Sequence, residues 1–115
     1  MKINVFTKEI AIIPSICKDN DKFKIIFRYP NQFDSTKLLL TSENHHESVL
    51  KIACDLFLRF ENKPQLINED GKEIDYENFS DMLKLGGKDI FKIVLEVVKS
   101  LTDAIKEANK TEKKL

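Results

Sequence analysis

The fold of this chain is decided by residues 65–105, which read QLINEDGKEIDYENFSDMLKLGGKDIFKIVLEVVKSLTDAI. Near the start of this stretch, Asp70-Gly71 is a two-residue turn of the kind that joins the strands of a hairpin. It is flanked by the apolar pair Leu66-Ile67 on one side and by Ile74 on the other. The pattern predicts a short β-hairpin near residues 66–74.

Two helices are predicted to follow the hairpin. Residues 76–79 open a short helix, and Gly86-Gly87 closes it because glycine reaches the left-handed conformation that helices favour at their ends. A long helix is predicted over residues 89–109, since its apolar residues recur at three- and four-residue steps. These residues are Ile90, Ile93, Val94, Val97, Val98, Leu101, Ile105 and Ala108. Phe91 and Leu95 widen this stripe, so the helix is expected either to contact several core neighbours or to take part in an interface.

The residues before position 42 predict a small antiparallel sheet. Residues 10–13 are apolar and largely β-branched, and Pro14 ends this short strand because it has no amide hydrogen. Residues 23–29 predict a second, half-buried strand, since aromatic and β-branched residues dominate it. Its apolar face is formed by Phe23, Ile25 and Phe27. Residues 36–41 predict a further strand.

A helix is predicted between the sheet and the hairpin. Ser42 or Asn44 is expected to cap it, and Asn62-Lys63-Pro64 is expected to end it. From Ser48 onward its apolar residues fall on one face, because they recur at three- and four-residue steps. These residues are Val49, Ile52, Ala53, Leu56, Phe57 and Phe60.

Together these patterns predict an α+β fold, with a small N-terminal antiparallel sheet followed by about three helices, the C-terminal one longest. We expect a single domain over residues 1–115. In this division, residues 1–41 are β-rich, residues 42–109 are mainly helical, and residues 110–115 are a frayed tail.

Composition argues against several classes of protein. The chain has 115 residues, of which 42% are hydrophobic and 33% charged, a balance typical of a folded domain with a charged exterior. Nineteen basic residues offset nineteen acidic ones, so the chain lacks the basic excess of a typical nucleic-acid-binding protein. No apolar run approaches the roughly 18 residues of a membrane span, and the first residues lack the cleavage site of a signal peptide. We expect a soluble protein of the cell interior that binds neither nucleic acid nor membrane.

Two segments carry side chains that bind metals elsewhere, and both have a simpler interpretation. His45-His46 precedes Glu47, but adjacent helical residues point about 100° apart, so two neighbouring histidines do not easily share one ion. Residues 68–73 supply oxygens and a glycine, but they lack the spacing of a calcium-binding loop. We expect a polar helix start and a plain turn, with no metal and no cofactor.

The candidates for catalysis are equally sparse. Cys17 and Cys54 stand in separate apolar contexts, which favours two buried free thiols over a disulfide or metal ligands. Burial disfavours the reactive thiolate, so we do not expect an enzyme. Gly86-Gly87-Lys88 follows residues that look helical, and it is interpreted as a link between helices rather than as a phosphate-binding loop.

One strand combines aromatic and basic side chains in the manner of a platform for single-stranded nucleic acid. The residues are Phe23, Phe27, Arg28 and Tyr29. A single strand is too little for such a platform, so a strand of the core is favoured.

Residues 66–83, LINEDGKEIDYENFSDML, resemble the C-terminal half of small tail assembly chaperones of long-tailed bacteriophages and prophages. In that family an apolar stretch precedes an acidic turn, a helix start and a long terminal helix. Phe27-Arg28-Tyr29-Pro30 is similar to the step from a basic residue to proline that many of these proteins contain.

The resemblance implies a non-enzymatic protein in the cytoplasm of the host bacterial cell. Its expected partner is the tape measure protein, which such chaperones keep soluble until tail-tube subunits polymerise around it. The tail-tube protein is a second expected partner, and self-association is a further expectation. The residues expected to bind lie on the last helix and are Phe91, Val94, Leu95, Val98 and Leu101. Two alternatives stay open: a head-tail connector or tail-completion protein, and a host-directed inhibitor that docks through an exposed strand edge.

Overall fold

The computed structural model describes the main chain of residues 1–20, 22–40 and 45–113, and the side chains of these residues except 18–20, 39–40, 45–46 and 109–113. The strands are β1 (Glu9–Ile12), β2 (Lys24–Arg28), β3 (Phe57–Glu61), β4 (Leu66–Ile67) and β5 (Glu73–Ile74). The helices are α1 (Gln32–Leu40), α2 (His45–Leu56), α3 (Phe79–Leu85) and α4 (Lys88–Lys113), and a 3-10 segment (Ser15–Asn20) lies between β1 and β2. The predicted α+β class is confirmed, and α4 is the longest helix described.

Strand β2 is the centre of the three-stranded sheet, whose order is β1-β2-β3 with antiparallel neighbours. The face predicted for this strand is confirmed, because Phe23, Ile25 and Phe27 are all fully buried. On the opposite face Arg59 of β3 reaches across to Glu9 of β1, with 3.0 Å between Nη2 and Oε1. The hydrogen bonds from Arg59 lower the pKa of the Glu9 carboxyl. This ion pair connects the two outer strands across the middle one.

Strand β3 corrects the prediction that Phe57 and Phe60 lie on a helix. Helix α2 ends at Leu56, and the next residue begins β3. The pairing of β2 with β3 shifts between Ile26 and Phe27, which leaves Leu58 as the extra residue of a β-bulge. Because of the bulge, both phenylalanines contact rings on the inner face of β2, at centroid distances of 6.0 and 6.1 Å. Two residues three positions apart therefore share one face of a strand here, which gives the same sequence pattern as one face of a helix.

Helix α1 corrects the strand predicted over residues 36–41. Residues 36–40 continue the helix that begins at Gln32, whereas Thr41 lies outside the described residues. The predicted caps Ser42 and Asn44 also lie outside them. The third strand of the sheet is thus β3, which follows α2 in the chain.

A capping box explains why α1 forms. The Asn31 side chain accepts hydrogen bonds from the main-chain N–H of Phe33 at 2.9 Å and of Asp34 at 3.3 Å. In return, Asp34 Oδ2 accepts from the Asn31 N–H at 2.8 Å. These bonds satisfy amide groups that a helix start leaves without a partner, so the segment begins a helix directly after Pro30.

The predicted hairpin is present as β4 and β5. The Asn68 side chain accepts from the N–H groups of Asp70 and Lys72, at 2.9 and 3.0 Å, and Gly71 has a φ of 79°. The side-chain oxygen of Asn68 is thus engaged by main-chain N–H groups of the turn. The predicted two-residue turn is corrected to a three-residue loop over residues 69–71, because the Asn68 N–H donates to the Lys72 carbonyl at 2.9 Å and Leu66, not Ile67, pairs with Ile74.

Helix α3 begins later than predicted. Asn78 caps it by accepting a hydrogen bond from the Asp81 N–H at 2.8 Å, whereas Tyr76 stays outside the helix as a buried core residue. Gly86 and Gly87 have φ values of 70° and 98°, and they link α3 to α4 as predicted.

Helix α4 runs along most of the fold and packs against the 3-10 segment and the other three helices. Its fully buried residues include Val97, Leu101 and Ile105, which share a core with β2, α2 and α3. The helix continues to Lys113, which corrects the end predicted near residue 109. Lysine and glutamate are good helix formers, and neither glycine nor proline interrupts this end.

Candidate functional site

The outer edge of α4 carries the most exposed of the predicted binding residues. Phe91 is 63% exposed and Leu95 49% exposed. They are four residues apart on one helix, so they lie about 5–6 Å apart on the same side. Together they form a small apolar surface, which we call the α4 patch.

The structure separates the other three predicted binding residues from this patch to different degrees. Val94 is partly buried against the core. Val98 is only 6% exposed and Leu101 is fully buried, so both belong to the core. Neither of these two side chains is open to a partner in this structure, because the middle of a wide apolar stripe faces the other elements and only its margin stays open. The binding role predicted for the five residues stays a prediction.

A second apolar surface, which the sequence did not predict, is a groove beside the N-terminal residues. It encloses about 660 Å³ and is lined by Asn4, Val5, Phe6, Lys8, Tyr29, Pro30, Asn31, Gln32, Phe33, Glu107 and Ala108. The Phe6 ring meets the Tyr29 ring edge-on at 6.0 Å, and Lys8 Nζ lies 4.5 Å from the Tyr29 centroid. Phe33 is 73% exposed at its rim. We call it the aromatic groove.

The wall of the aromatic groove is held by an ion pair and the capping box. Asp34 is 1% exposed, and its carboxylate accepts from Arg28 Nη1 at 3.3 Å and Nη2 at 3.4 Å. The same carboxylate accepts from the Asn31 N–H. The sequence does contain a signal for this arrangement. Asn31 and Asp34 follow Pro30 with the three-residue spacing of a capping box.

The interpretation of residues 23–29 as a core strand is confirmed. The rings of Phe23 and Phe27 are fully buried, so they offer no face on which a base can stack. Arg28 pairs with Asp34, and Tyr29 contacts Phe6 and Lys8.

The two cysteines are free thiols in separate places. Burial raises the pKa of the Cys17 thiol, and the charges of Glu96 and Asp89 raise it further. Burial and then the charge of Asp55 raise the pKa of Cys54. Both thiols therefore hold their protons more tightly than an exposed cysteine does, the opposite of what a nucleophile requires.

Among the residues that the structure describes, no three histidine, cysteine or acidic side chains come close enough to hold a metal ion. The His45 and His46 side chains lie outside the described residues, so the polar helix start expected there stays a prediction. Within the same part of the chain, no helix is long and apolar enough to cross a membrane.

Tyr76 is the buried titratable group nearest the hairpin. Its hydroxyl donates to the Pro64 carbonyl at 2.6 Å, and Lys63 Nζ donates to the Tyr76 carbonyl at 2.5 Å. Burial, with a smaller contribution from Cys17, raises the pKa of its phenol to about 12. Tyr76 thus attaches the start of the hairpin to the core.

Comparison of this chain with models of protein families, with curated proteins and with solved structures gives no match.

Proposed function

We propose that this protein acts by binding another protein, as a tail assembly chaperone that holds a phage tape measure protein in the host cytoplasm. The observation that carries the proposal is the α4 patch. Phe91 and Leu95 keep 63% and 49% of their surface open to solvent, although the other large apolar residues of the same helix are buried or partly buried. An exposed apolar pair beside a core is a typical contact for an apolar segment of a partner.

The chemistry of the described residues supports binding over catalysis. Both thiols have raised pKa values, so neither is activated. The acidic side chain with the lowest exposure, Asp34, is occupied by Arg28 and by the capping box. The order of hairpin, short helix and long helix agrees with the order expected from the resemblance to tail assembly chaperones.

The test is co-expression with the candidate tape measure protein, followed by pull-down and by measurement of how much partner stays soluble. Phe91→Ser and Leu95→Ser in one chain are expected to abolish capture while leaving the circular dichroism spectrum unchanged. Leu101→Asp is unsuitable because this residue is fully buried, and a charge there would unfold the core.

Phe33→Ser is the matched control, since Phe33 is at least as exposed as Phe91, at 73% against 63%, but lies at the aromatic groove. Its capture of the partner is expected to equal that of the unmodified chain. If the tape measure protein is neither bound nor solubilised, the chaperone proposal fails. If Phe33→Ser abolishes capture and the double α4 variant does not, binding uses the aromatic groove instead of the α4 patch.

A further inference from the structure

A second groove, of about 390 Å³, runs along strand β1. It is lined by residues 10–13 and by one face of α4, formed by Glu96, Lys99, Ser100 and Asp103. Alternate residues of a strand point to opposite faces of the sheet. A groove that touches four consecutive residues therefore follows the main-chain edge of the strand, not one of its faces.

This edge is open. The Tyr29 N–H donates to the Lys8 carbonyl at 2.8 Å, which identifies Lys8 as a residue bonded to β2. Since bonded and non-bonded pairs alternate in an antiparallel ladder, Ile10 and Ile12 also point their main-chain groups at β2. Consequently the main-chain groups of the intervening residues point outward. In the described part of the chain, no main-chain hydrogen bond outside the helices and strands engages Glu9, Ala11 or Ile13.

The two outer strands of the sheet differ in how they are protected from pairing. Strand β3 is interrupted by the bulge at Leu58, and its Arg59 and Glu61 side chains are paired with each other. Bulges and charges of this kind prevent a further strand from adding to an edge. Strand β1 pairs with β2 without any shift in register, Ala11 is exposed, and Ile13 is 50% exposed. The β1 edge is thus the one that is able to accept another strand.

We propose that the occupant of this edge is β1 of a second copy of the chain, in antiparallel orientation about a twofold axis. Ala11 is the middle one of the three outward-pointing residues, so the greatest overlap places it opposite Ala11 of the other copy. Glu9 then faces Ile13 in both halves of the interface. In each of these three pairs, the two opposite residues exchange two main-chain hydrogen bonds. The interface therefore contains about six such bonds. The result is one continuous six-stranded sheet with a self-complementary interface.

Charge on α4 favours a second copy over an unrelated strand. Glu96 already accepts a hydrogen bond from the Ser15 N–H at 2.9 Å. The other charged residues at the groove, Lys99 and Asp103, are exposed and opposite in sign. A twofold axis perpendicular to the sheet runs the two α4 helices antiparallel, so each copy presents a lysine and an aspartate to the aspartate and lysine of the other. Opposite charges across an interface favour the correct partner.

The first test measures the mass of the full chain over a series of concentrations by sedimentation velocity. The unmodified chain is expected to shift from 13.4 kDa towards twice that mass. Ala11→Pro removes an amide that points away from β2, so it leaves the β1–β2 hydrogen bonds in place and is expected to keep the chain monomeric. Ala11→Val is the matched control, since it retains the amide and is expected to dimerise.

The second test uses the position of Ala11 opposite its own copy. Ala11→Lys and Ala11→Glu each place like charges face to face, and each is expected to weaken the dimer about fivefold. An equimolar mixture of the two variants is expected to form the mixed dimer, measured by native mass spectrometry. This test holds even if Ala11→Pro fails to fold. The proposal is overturned by a chain that stays monomeric throughout, by a dimer that these substitutions do not weaken, or by a mixture without a mixed dimer.

Discussion

Replacing Asp34 by alanine is expected to lower the free energy of unfolding by about 2–3 kcal/mol. The carboxylate is 1% exposed and accepts the Asn31 N–H at 2.8 Å, and a hydrogen bond to a charged group contributes about 1.5–3 kcal/mol. The ion pair with Arg28 adds less, about 0.5 kcal/mol, because the Arg28 side chain is 36% exposed and water screens it.

The magnitude is to be measured by urea denaturation followed by circular dichroism, with the shift in midpoint converted at constant slope. Asp55→Ala is the matched control, since that aspartate is an exposed residue of helix α2. It is expected to change the free energy of unfolding by less than about 0.5 kcal/mol.

Asp34→Asn separates the two contributions. The amide oxygen still accepts the Asn31 N–H, whereas the charge that pairs with Arg28 is lost. We therefore expect a loss of about 1 kcal/mol, between those of the control and of Asp34→Ala. A double-mutant cycle with Arg28→Ala measures the ion pair directly.

Two results would refute this reasoning. If Asp34→Ala behaves like Asp55→Ala, the capping box does not stabilise α1. If Asp34→Asn destabilises as much as Asp34→Ala, the charge matters and the main-chain hydrogen bond does not.

Further predictions concern the core, a phenol and a thiol. Leu101→Ala is expected to cost about 2–5 kcal/mol and the half-exposed Leu95→Ala under about 1 kcal/mol in urea denaturation, and equal losses would contradict the burial of α4. In a Tyr29→Phe variant, ultraviolet absorbance is expected to show Tyr76 ionising near pH 12 in the folded protein and near pH 10 in the urea-unfolded chain. Because the folded state holds this proton more tightly, the contribution of Tyr76 to stability is complete below about pH 10 and is lost as the pH rises towards 12, so stability that does not fall over that range would oppose the assignment. The raised pKa of Cys17 predicts slower alkylation in the folded than in the unfolded chain at one pH, measured by mass spectrometry, and equal rates would disprove it.

Local patterns were sufficient for several elements. The presence of the hairpin was predictable from Asp70-Gly71, but its register was not. A two-residue turn at these positions would pair Ile67 with Ile74, whereas Leu66 pairs with Ile74 around a three-residue loop. The glycines at 86 and 87 ended α3 as predicted, because their positive φ values are a property of the residue type. Helix α4 was predictable from its periodicity, although its end was not.

The site was harder to predict than the fold. The five residues chosen on α4 share one apolar stripe, but only Phe91 and Leu95 stay well exposed, because exposure depends on where the other elements pack. The aromatic groove combines residues 4–8, 29–33 and 107–108, which are distant in sequence. No local pattern indicates that such segments meet.

By itself, the sequence determined the α+β class, the inward face of β2, the hairpin and the long last helix. Each follows from periodicity or turn chemistry within about a dozen neighbouring residues. The tertiary structure alone decided that Phe57–Glu61 is a strand, since β2 offers its main-chain groups and the bulge at Leu58 turns two phenylalanines inward. It likewise decided which margin of α4 remains open and which strand edge remains unpaired. These outcomes depend on the free energy of contacts between segments that are distant in sequence. A pattern within one short stretch of the chain does not determine that free energy.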